Sequence, residues 1–493
     1  MKPKPDPLKD QFQLFQANFG QLLNPQHPLV LLADKIDWPR FDEELLPCYA
    51  EKGRPGTPIR LMAGLCYLKY TFNISDEDME HRWVENPYWQ YFCGYDSMQH
   101  EFPIHYTAWI KWRKRMTSDR LKVLLQETID LAVREKQLPK RDLKRVNVDT
   151  TVQEKNITYP TDTKLLHKAV VKLVAAARSR NIPLRQSYLR VSKRAAVKAG
   201  RYAHARQFKR MKRELRKLRR YVRALIGDIH RKAGSVDAEL KTLLSLAQQV
   251  HDQRPKDSGK VYSLHEPHVQ CISKGKAHKR YEFGCKVSVV TTNRSNWILA
   301  SEALEGNPYD GHTLSESLDA VEAMTGVGLE EAFVDKGYRG HRCDGNVAIH
   351  IAGCGLKRAT RALKKRRRRR SAVEPKIGHL KSDHRMGRCW LWDEEGDKIN
   401  ALLAGVGSNM RKLLKLFYFA LRKWVAYQAW LLELDICLTQ LQHWPRQLAI
   451  VRRVHTLPAA QTFFQGRLLA VALIRDIGYL KYSPLSRQKL AFS

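Results

Sequence analysis

The strongest constraint on this chain is an interruption. A strand-like run, Val146-Asn147-Val148-Asp149-Thr150-Thr151-Val152, gives way to helical patterning from about Asp162 to His251, and strand character returns only at Arg280. From there to Thr292, Phe283, Cys285, Val287 and Val289 alternate with Glu282, Gly284, Lys286 and Ser288, the period of a half-buried strand. A second strand, Trp297 to Leu304, is expected to pair with it across the turn at 292–296. A helix over Leu314 to Met324, a buried strand at Ala332-Phe333-Val334-Asp335 and another over Val347 to Ile351 complete the pattern. Mixed strands and helices around an inserted helical stretch point to an α/β core with a mixed sheet.

The inserted stretch carries Phe208, Met211, Leu215, Leu218, Val222, Leu225 and Ile229 at alternating steps of three and four, a heptad seam. A long helical hairpin or a coiled coil fits it, packed within one chain or between two. Arg and Lys flank the seam, as they do the chain overall: 87 Lys and Arg against 50 Asp and Glu give a formal net charge of +37. That excess predicts a polyanionic partner, nucleic acid before an anionic membrane. A solvated basic surface is the plain alternative for the seam, but one sign of charge at this density repels itself without a polyanion nearby. The run Lys364 to Arg370 is expected to be a loop or an exposed segment. No apolar run has transmembrane length, and Met1 to Asp10 is charged and Pro-bearing, unlike a signal peptide. Nine scattered cysteines without a C-x-x-C pair read as small buried residues in a reducing cytosol.

Ahead of the first strand, a weakly patterned arm leads to Thr57-Pro58, which reads as an N-cap followed by proline at the first helical position. Ser75 with Asp78 marks a second helix start. A third helix, from Tyr106 to about Met116, carries Lys111, Arg113, Lys114 and Arg115 beside Trp109 and Trp112. Short helices ending in a basic one fit a compact DNA-binding module; a helical domain with one solvated basic face is the alternative. Ile399 to Leu434 is apolar and helical, and the segment from Trp444 onward is less organised.

Three acids stand where phosphodiester chemistry wants them. Asp149 lies within the first strand, Asp335 closes a buried strand ahead of the turn Lys336-Gly337-Tyr338-Arg339-Gly340, and Glu374 begins a helix. Strand ends converging on a helix can present three carboxylates to one point, the donor set of hard divalent cations. Each acid also has a structural reading. Asp149 can simply sit near a strand end, and Asp335 can be a turn residue held by its own backbone. Ser371-x-x-Glu374 fits a capping box, with Pro375 tolerated in the first helical turn.

The segments VNVDTT, GNPYDGHTL, FVDKGYRG and RRSAVEPKIGHLKSDHRM resemble the blocks of bacterial insertion-sequence DDE transposases of the IS-five group. The stretch PGTPIRLMAGLCYLKYTFNISDEDMEHRWVENPYWQYFCGYD resembles that group's helical N-terminal domain, and GDKINALLAGVGSNMRKLL the segment after its last catalytic block. The resemblance runs from about Arg54 to Leu416. It implies an RNase H-like catalytic fold using two magnesium or manganese ions, with Asp149, Asp335 and Glu374 as catalytic residues and metal ligands. Arg370 and Lys381 match the basic positions of the group's Y-R-E-K signature, while its tyrosine position is Arg367 here, so that tyrosine's role does not transfer. Lys381 lies two helical turns beyond Glu374 on the same face, where an ammonium can hold a DNA phosphate, and Arg370 can grip another. Lys336, Arg339 and Arg385 are further candidate DNA contacts. Asp310 and His312 sit in a matching block but are not read as ligands; His312 is expected to orient its loop or touch DNA, and His379 and His384 to face DNA or solvent.

The expected organisation is an N-terminal arm (1–55), a helical DNA-binding domain (56–135), an RNase H-like core (140–160 and 260–420), a basic helical insertion (161–259) and a C-terminal helical tail (421–493). The expected activity is a transposase that cleaves element ends, releasing a 3′-hydroxyl, and joins them to target DNA. Its partners are double-stranded DNA, as terminal inverted repeats and target, and a second copy of the chain to hold two ends together. No phosphate-binding glycine loop appears, so no nucleotide cofactor is implied. The competing readings are an RNase H-like nuclease without strand transfer and a non-catalytic DNA-binding protein descended from a transposase.

Overall fold

The structure, a computed structural model, describes residues 2–3, 17–52, 55–234, 236–273, 279–343, 345, 347–354 and 359–442. The chain forms two units, residues 1–418 and 419–493. In the second, the described residues are the end of the helix Asp393–Gln442; the rest of the expected tail, 443–493, lies outside the described residues.

Among the described residues, seven strands form one sheet: β1 (Arg145–Lys155), β2 (Gln270–Ser273), β3 (Tyr281–Thr292), β4 (Ile298–Leu304), β5 (Glu331–Val334), β6 (Ala348–Ile351) and β7 (Arg388–Cys389). Its main body runs β4-β3-β1-β5-β6, with β3 antiparallel to both β1 and β4, and β5 and β6 parallel to β1. Short β2 adds to β3, and β7 pairs with Glu154 and Lys155 at the far end of β1. The hairpin at 292–298 supplies the antiparallel half. The parallel half needs a crossover, which the helix Leu314–Thr325 provides between β4 and β5. The hairpin turn also holds what lies above it. Asn293 Nδ2 donates to Asn147 Oδ1 at 2.7 Å and to the Arg366 carbonyl at 3.0 Å, and Asn296 Nδ2 donates to the Ala372 carbonyl at 2.9 Å.

Val146, Val148, Val287, Val289 and Ala332 belong to a single hydrophobic cluster that continues into Leu61, Leu65 and Leu68 of the helix Ile59–Phe72 and Leu402, Leu403 and Val406 of the C-terminal helix. Gly407 permits that contact: a Cβ there would lie 2.4 Å from the Tyr70 carbonyl oxygen. The weakly patterned arm is folded from residue 19, as the helices Phe19–Leu22, Pro28–Lys35 and Trp38–Leu45, and Leu29, Leu32 and Phe41 enter the same cluster. Ser75 caps its helix, accepting from Asp78 N at 2.9 Å. Thr57 does not: Pro58 occupies the cap position of Ile59–Phe72 without a side-chain bond. The basic third helix runs on to Arg134 through a kink at Thr117 (φ 58°). Its Arg113 is not on the solvated face but buried against Asp76, while Lys111, Lys114 and Arg115 are exposed.

The stretch between β1 and β2 is neither a hairpin nor a coiled coil. Four helices, Asp162–Ser179, Leu189–His204, Phe208–Lys232 and Ala238–Asp252, enclose their own cluster. Leu218, Val222, Leu225 and Ile229 pack there with Leu165, Leu166, Val170 and Leu244, so the seam closes within one chain, whereas Phe208 at its start is 55% exposed.

Four further expectations are corrected. Residues Lys364 to Arg369 are an exposed segment, none of them buried, but not a loop: they are most of the helix Arg361–Arg369, which Thr360 caps, accepting from Leu363 N at 3.2 Å, and the helix propensity of Ala, Leu, Lys and Arg outweighs the repulsion between the cations. A 3-10 turn over Arg370–Ala372 carries this helix straight into the next, Val373–Asp383, so Ser371 donates back to the Arg368 carbonyl at 2.8 Å and forms no capping box. Cys354 is exposed, unlike the buried Cys66, Cys93, Cys285 and Cys389. His379 is exposed as expected, but His384 is buried, its Nδ1 2.8 Å from the Tyr70 carbonyl.

Burial holds the His384 imidazole down to about 4. The unfolded chain, with an ordinary histidine near 6.5, binds this proton first, so the contribution to stability is complete above about pH 6.5 and lost as pH falls through about 4. It amounts to about 3 kcal/mol. Urea midpoints measured from pH 7 to 4 should therefore fall more steeply for wild type than for His384→Gln; parallel profiles would refute the assignment.

Candidate active site

The two aspartates are brought together by strand register. In the parallel pair, Arg145 faces Glu331 and Asn147 faces Phe333. Two residues further along the same register stand Asp149 and Asp335, on the same face because side-chain direction repeats every second residue. Asp335 leaves the strand to open a 3-10 turn, Lys336–Tyr338, and its Oδ1 accepts from Gly337 N at 2.8 Å. The turn-residue reading of Asp335 is therefore true of one oxygen only. Gly337 leaves room for the acids: a Cβ there would press on Asp335 Oδ1 at 3.0 Å and on Asp310 Oδ2 at 3.3 Å.

The third acid arrives from above the sheet. Glu374, in the first turn of the helix Val373–Asp383, is placed by the 3-10 turn that Asn296 anchors. Arg370 opens that turn and joins the three acids. Its Nη2 lies 3.1 Å from Asp149 Oδ2 and 3.9 Å from Asp335 Oδ2, and its Nη1 lies 3.3 Å from Glu374 Oε1. The guanidinium is only 15% exposed, whereas Glu374 is 64% exposed, so the site opens on the glutamate side. Three carboxylates from three elements on one cation are the oxygen donor set that a hard divalent ion takes. With Arg370 between them the acids stand apart: among the described residues, no group of three His, Cys, Asp or Glu side chains is spaced to share a metal ion. The donors suit such an ion in kind, and the centre of the site is held by a positive charge.

Of the other basic candidates, Lys336 and Arg339 are exposed on the turn after Asp335, and Lys381 is half-buried two turns beyond Glu374. Arg385 is directed elsewhere. It takes a left-handed conformation (φ 64°), its carbonyl accepts from Asn400 Nδ2 at 3.2 Å, and its charge is felt by Lys69 in the N-terminal helices.

Two features escaped sequence reasoning. Asp310 is built into the rim of the site: its Oδ1 accepts from Thr150 Oγ1 at 2.9 Å and pairs with Lys286 Nζ at 3.0 Å. The alternation in β3 marked Lys286 as polar, but nothing local marked it as an inward cation. Tyr338 is fully buried, and its hydroxyl has no hydrogen-bond partner among the described residues. Burial, with Asp310, Asp149 and Asp335 adding to it, pushes that hydroxyl far up, so it stays protonated and can only donate beside the acids. Its place in the turn was visible in the sequence; its unsatisfied donor was not. Arg370 Nε is a second buried donor without a partner. Unmet donors next to carboxylates suit an anion such as a phosphate oxygen, arriving where the acids alone would repel it.

Comparison with known proteins agrees with a DNA-handling role in its coarse outline. Residues 17–115 match the family described as Transposase domain (DUF772). A Rhizobium meliloti protein, described as uncharacterized protein ORF8 in nfe locus, is 48% identical over 202 residues, which make up 41% of this chain and 98% of that protein. No solved structure matches the chain. Among the described residues, no helix is long and apolar enough to cross a membrane.

Proposed function

This chain belongs to one family with the Rhizobium meliloti protein and carries a segment that matches a transposase domain, and from that premise we propose that it is a DNA transposase, cleaving the ends of an insertion sequence and joining them to target DNA. The observation that carries the reading is the convergence of Asp149, Asp335 and Glu374, from β1, the end of β5 and a separate helix, on the single Arg370 guanidinium. The mixed sheet is compatible with an RNase H-like core.

In this reading Asp149, Asp335 and Glu374 would hold two magnesium or manganese ions, which would acidify the nucleophile and neutralise charge at the leaving oxygen. The chain's own groups do the rest. Asp335 keeps Oδ2 directed into the site because Gly337 N fixes Oδ1. Arg370 exchanges carboxylates for a phosphate oxygen, its Nε gaining the acceptor it lacks. Tyr338 donates its hydroxyl to the same anionic centre, and Lys381, Lys336 and Arg339 hold flanking phosphates. Water attacks first and frees a 3′-hydroxyl; that hydroxyl attacks second, along the same in-line path. Arg385, whose charge acts on the buried Lys69, is the weakest of the five basic candidates. Two element ends must be held at once, which favours a homodimer working on DNA in the bacterial cytoplasm.

The test is a cleavage and strand-transfer assay on duplex taken from the DNA flanking the chain's own coding sequence, with and without magnesium. Wild type should nick at the element end and yield joined products only with the metal, and Glu374→Ala should bind the duplex without cutting it. Cutting that needs no divalent ion, or that survives Glu374→Ala, overturns the site assignment. Cleavage without joined products turns the reading to a nuclease.

A further inference from the structure

A second strongly charged feature lies beside the acids and takes no part in the chemistry above. A cleft of about 400 Å³ opens between the start of β1, the β3–β4 turn and the helix Arg361–Arg369, and Arg141, Arg145, Arg294, Lys365, Arg366 and Arg369 line it. Two of these are wall anchors. Arg145 pairs with Glu330 at 3.1 Å and Glu331 at 3.4 Å, and Arg366 pairs with Glu331 at 3.0 Å. Arg141, Arg294, Lys365 and Arg369 make no ion pair among the described residues, although Arg369 donates to the Arg294 carbonyl at 3.3 Å. The cleft's one acid, Asp142, is buried in its wall. Four unmatched cations in one concavity repel each other, and a concave wall focuses their field outward; an anion with several acceptor oxygens relieves both.

One helix and one strand link the cleft to the acids. Lys365, Arg366 and Arg369 share a face of the helix that ends at Arg370, the residue that grips Asp149. One helical turn, about 6 Å, separates Arg366 from Arg370. Along β1, the four residues from Arg145 to Asp149 span about 13 Å. At about 3.4 Å of axis per nucleotide on one strand, those spans correspond to roughly two to four nucleotides.

We infer that this cleft seats the backbone phosphates two to four nucleotides from the bond to be cut, fixing the strand in register with Asp149, Asp335 and Glu374. The inference rests on the DNA reading given above. Arginine forks suit phosphate oxygens in pairs, and no base edge need be read to set a register.

The test compares wild type with Arg141→Ser/Arg294→Ser/Lys365→Ser and with the charge-preserving Arg141→Lys/Arg294→Lys, on the same flanking-DNA duplex. Circular dichroism melts verify that each variant folds. The triple variant should lose about 2 to 3 from the slope of log affinity against log salt, one contact being worth about 0.9, while the lysine variant keeps its slope. Methylphosphonate linkages at the second to fourth nucleotides from the nick should weaken wild-type binding about tenfold or more and leave the triple variant unchanged. A wild-type slope in the triple variant, or equal sensitivity of both proteins to the neutral linkages, overturns the cleft assignment and leaves the DNA reading standing. Failure of wild type to bind or cut the duplex overturns the DNA reading itself and the cleft with it.

Discussion

Asp149→Asn is expected to lower magnesium-dependent cleavage about 10³-fold, the equivalent of roughly 4 kcal/mol of lost transition-state stabilisation, while duplex binding stays near wild type. The fold should tolerate the change. An asparagine can still accept from Thr150 N, as Asp149 Oδ1 does at 2.8 Å, and Arg370 keeps Glu374 at 3.3 Å. What goes is a negative charge at the one acid set in the interior of a central strand, with an amide NH₂ now meeting the guanidinium it formerly attracted. Asp335→Asn should behave alike, since the parallel register sets the two side by side on one face. Groups that act as a unit are not additive, so the double variant should be no slower than the worse single one. An Asp149→Asn protein with a tenth of wild-type cleavage, or a double variant near 10⁶-fold down, would show that these carboxylates do not form one centre.

The acids were legible because each sits at a boundary that local pattern reveals. Alternating valines place Asp149 in a strand, the apolar Ala332 to Val334 ends at Asp335, and Glu374 starts a helix. Five of the seven described strands came through, β3 by its period of two, whereas the short β2 and β7 carry no such pattern and were not expected. What local pattern could not carry is burial of charge. Arg113 reads as one of four basic residues on a helix, and only Asp76, from another helix, makes it a core residue. His384 looks like a neighbour of Lys381 until the Tyr70 carbonyl, far away in sequence, is brought against it. The arginine helix failed in the opposite direction: charge density argued for a loop, while propensity and the Thr360 cap decided for a helix. Its consequence is the more important one, because a helix puts Arg370 over the acids and lines the neighbouring cleft on one face.

The buried pair behind the site yields the largest stability effect. Asp76 accepts from Lys69 Nζ at 2.5 Å and from Arg113 Nη1 and Nη2 at 2.9 and 2.6 Å, and Trp109 lies under both cations, 5.4 Å from Lys69 and 4.4 Å from Arg113. Burial alone would raise the Asp76 carboxyl, but Lys69 and Arg113 together outweigh it and hold it far below the usual carboxylate range. Its contribution is therefore complete above about pH 4 and is lost only as pH falls through that depressed value. At neutral pH, Asp76→Ala leaves the buried Arg113 without its counter-charge and takes from Lys69, which burial already holds down to about 7, the partner that keeps it protonated; the expected loss is about 3–5 kcal/mol, a large part of the roughly 5–15 kcal/mol that holds a folded protein together. Urea denaturation at pH 7 reads it directly. Lys69→Met placed on top of Asp76→Ala should restore part of the loss, because it removes a buried amine left without its partner and the repulsion between that amine and Arg113. A loss below about 1 kcal/mol, or a double variant less stable than Asp76→Ala, would show that the carboxylate does not balance the two cations. The effect should also reach the site. Lys69 and Tyr70 lie on the helix Ile59–Phe72, the Tyr70 carbonyl receives His384, and Asn73 just beyond it donates to the Ser382 carbonyl at 2.9 Å. These contacts steady the end of the helix that begins with Glu374, so Asp76→Ala should lose cleavage at urea concentrations well below its unfolding midpoint, where wild type is still fully active.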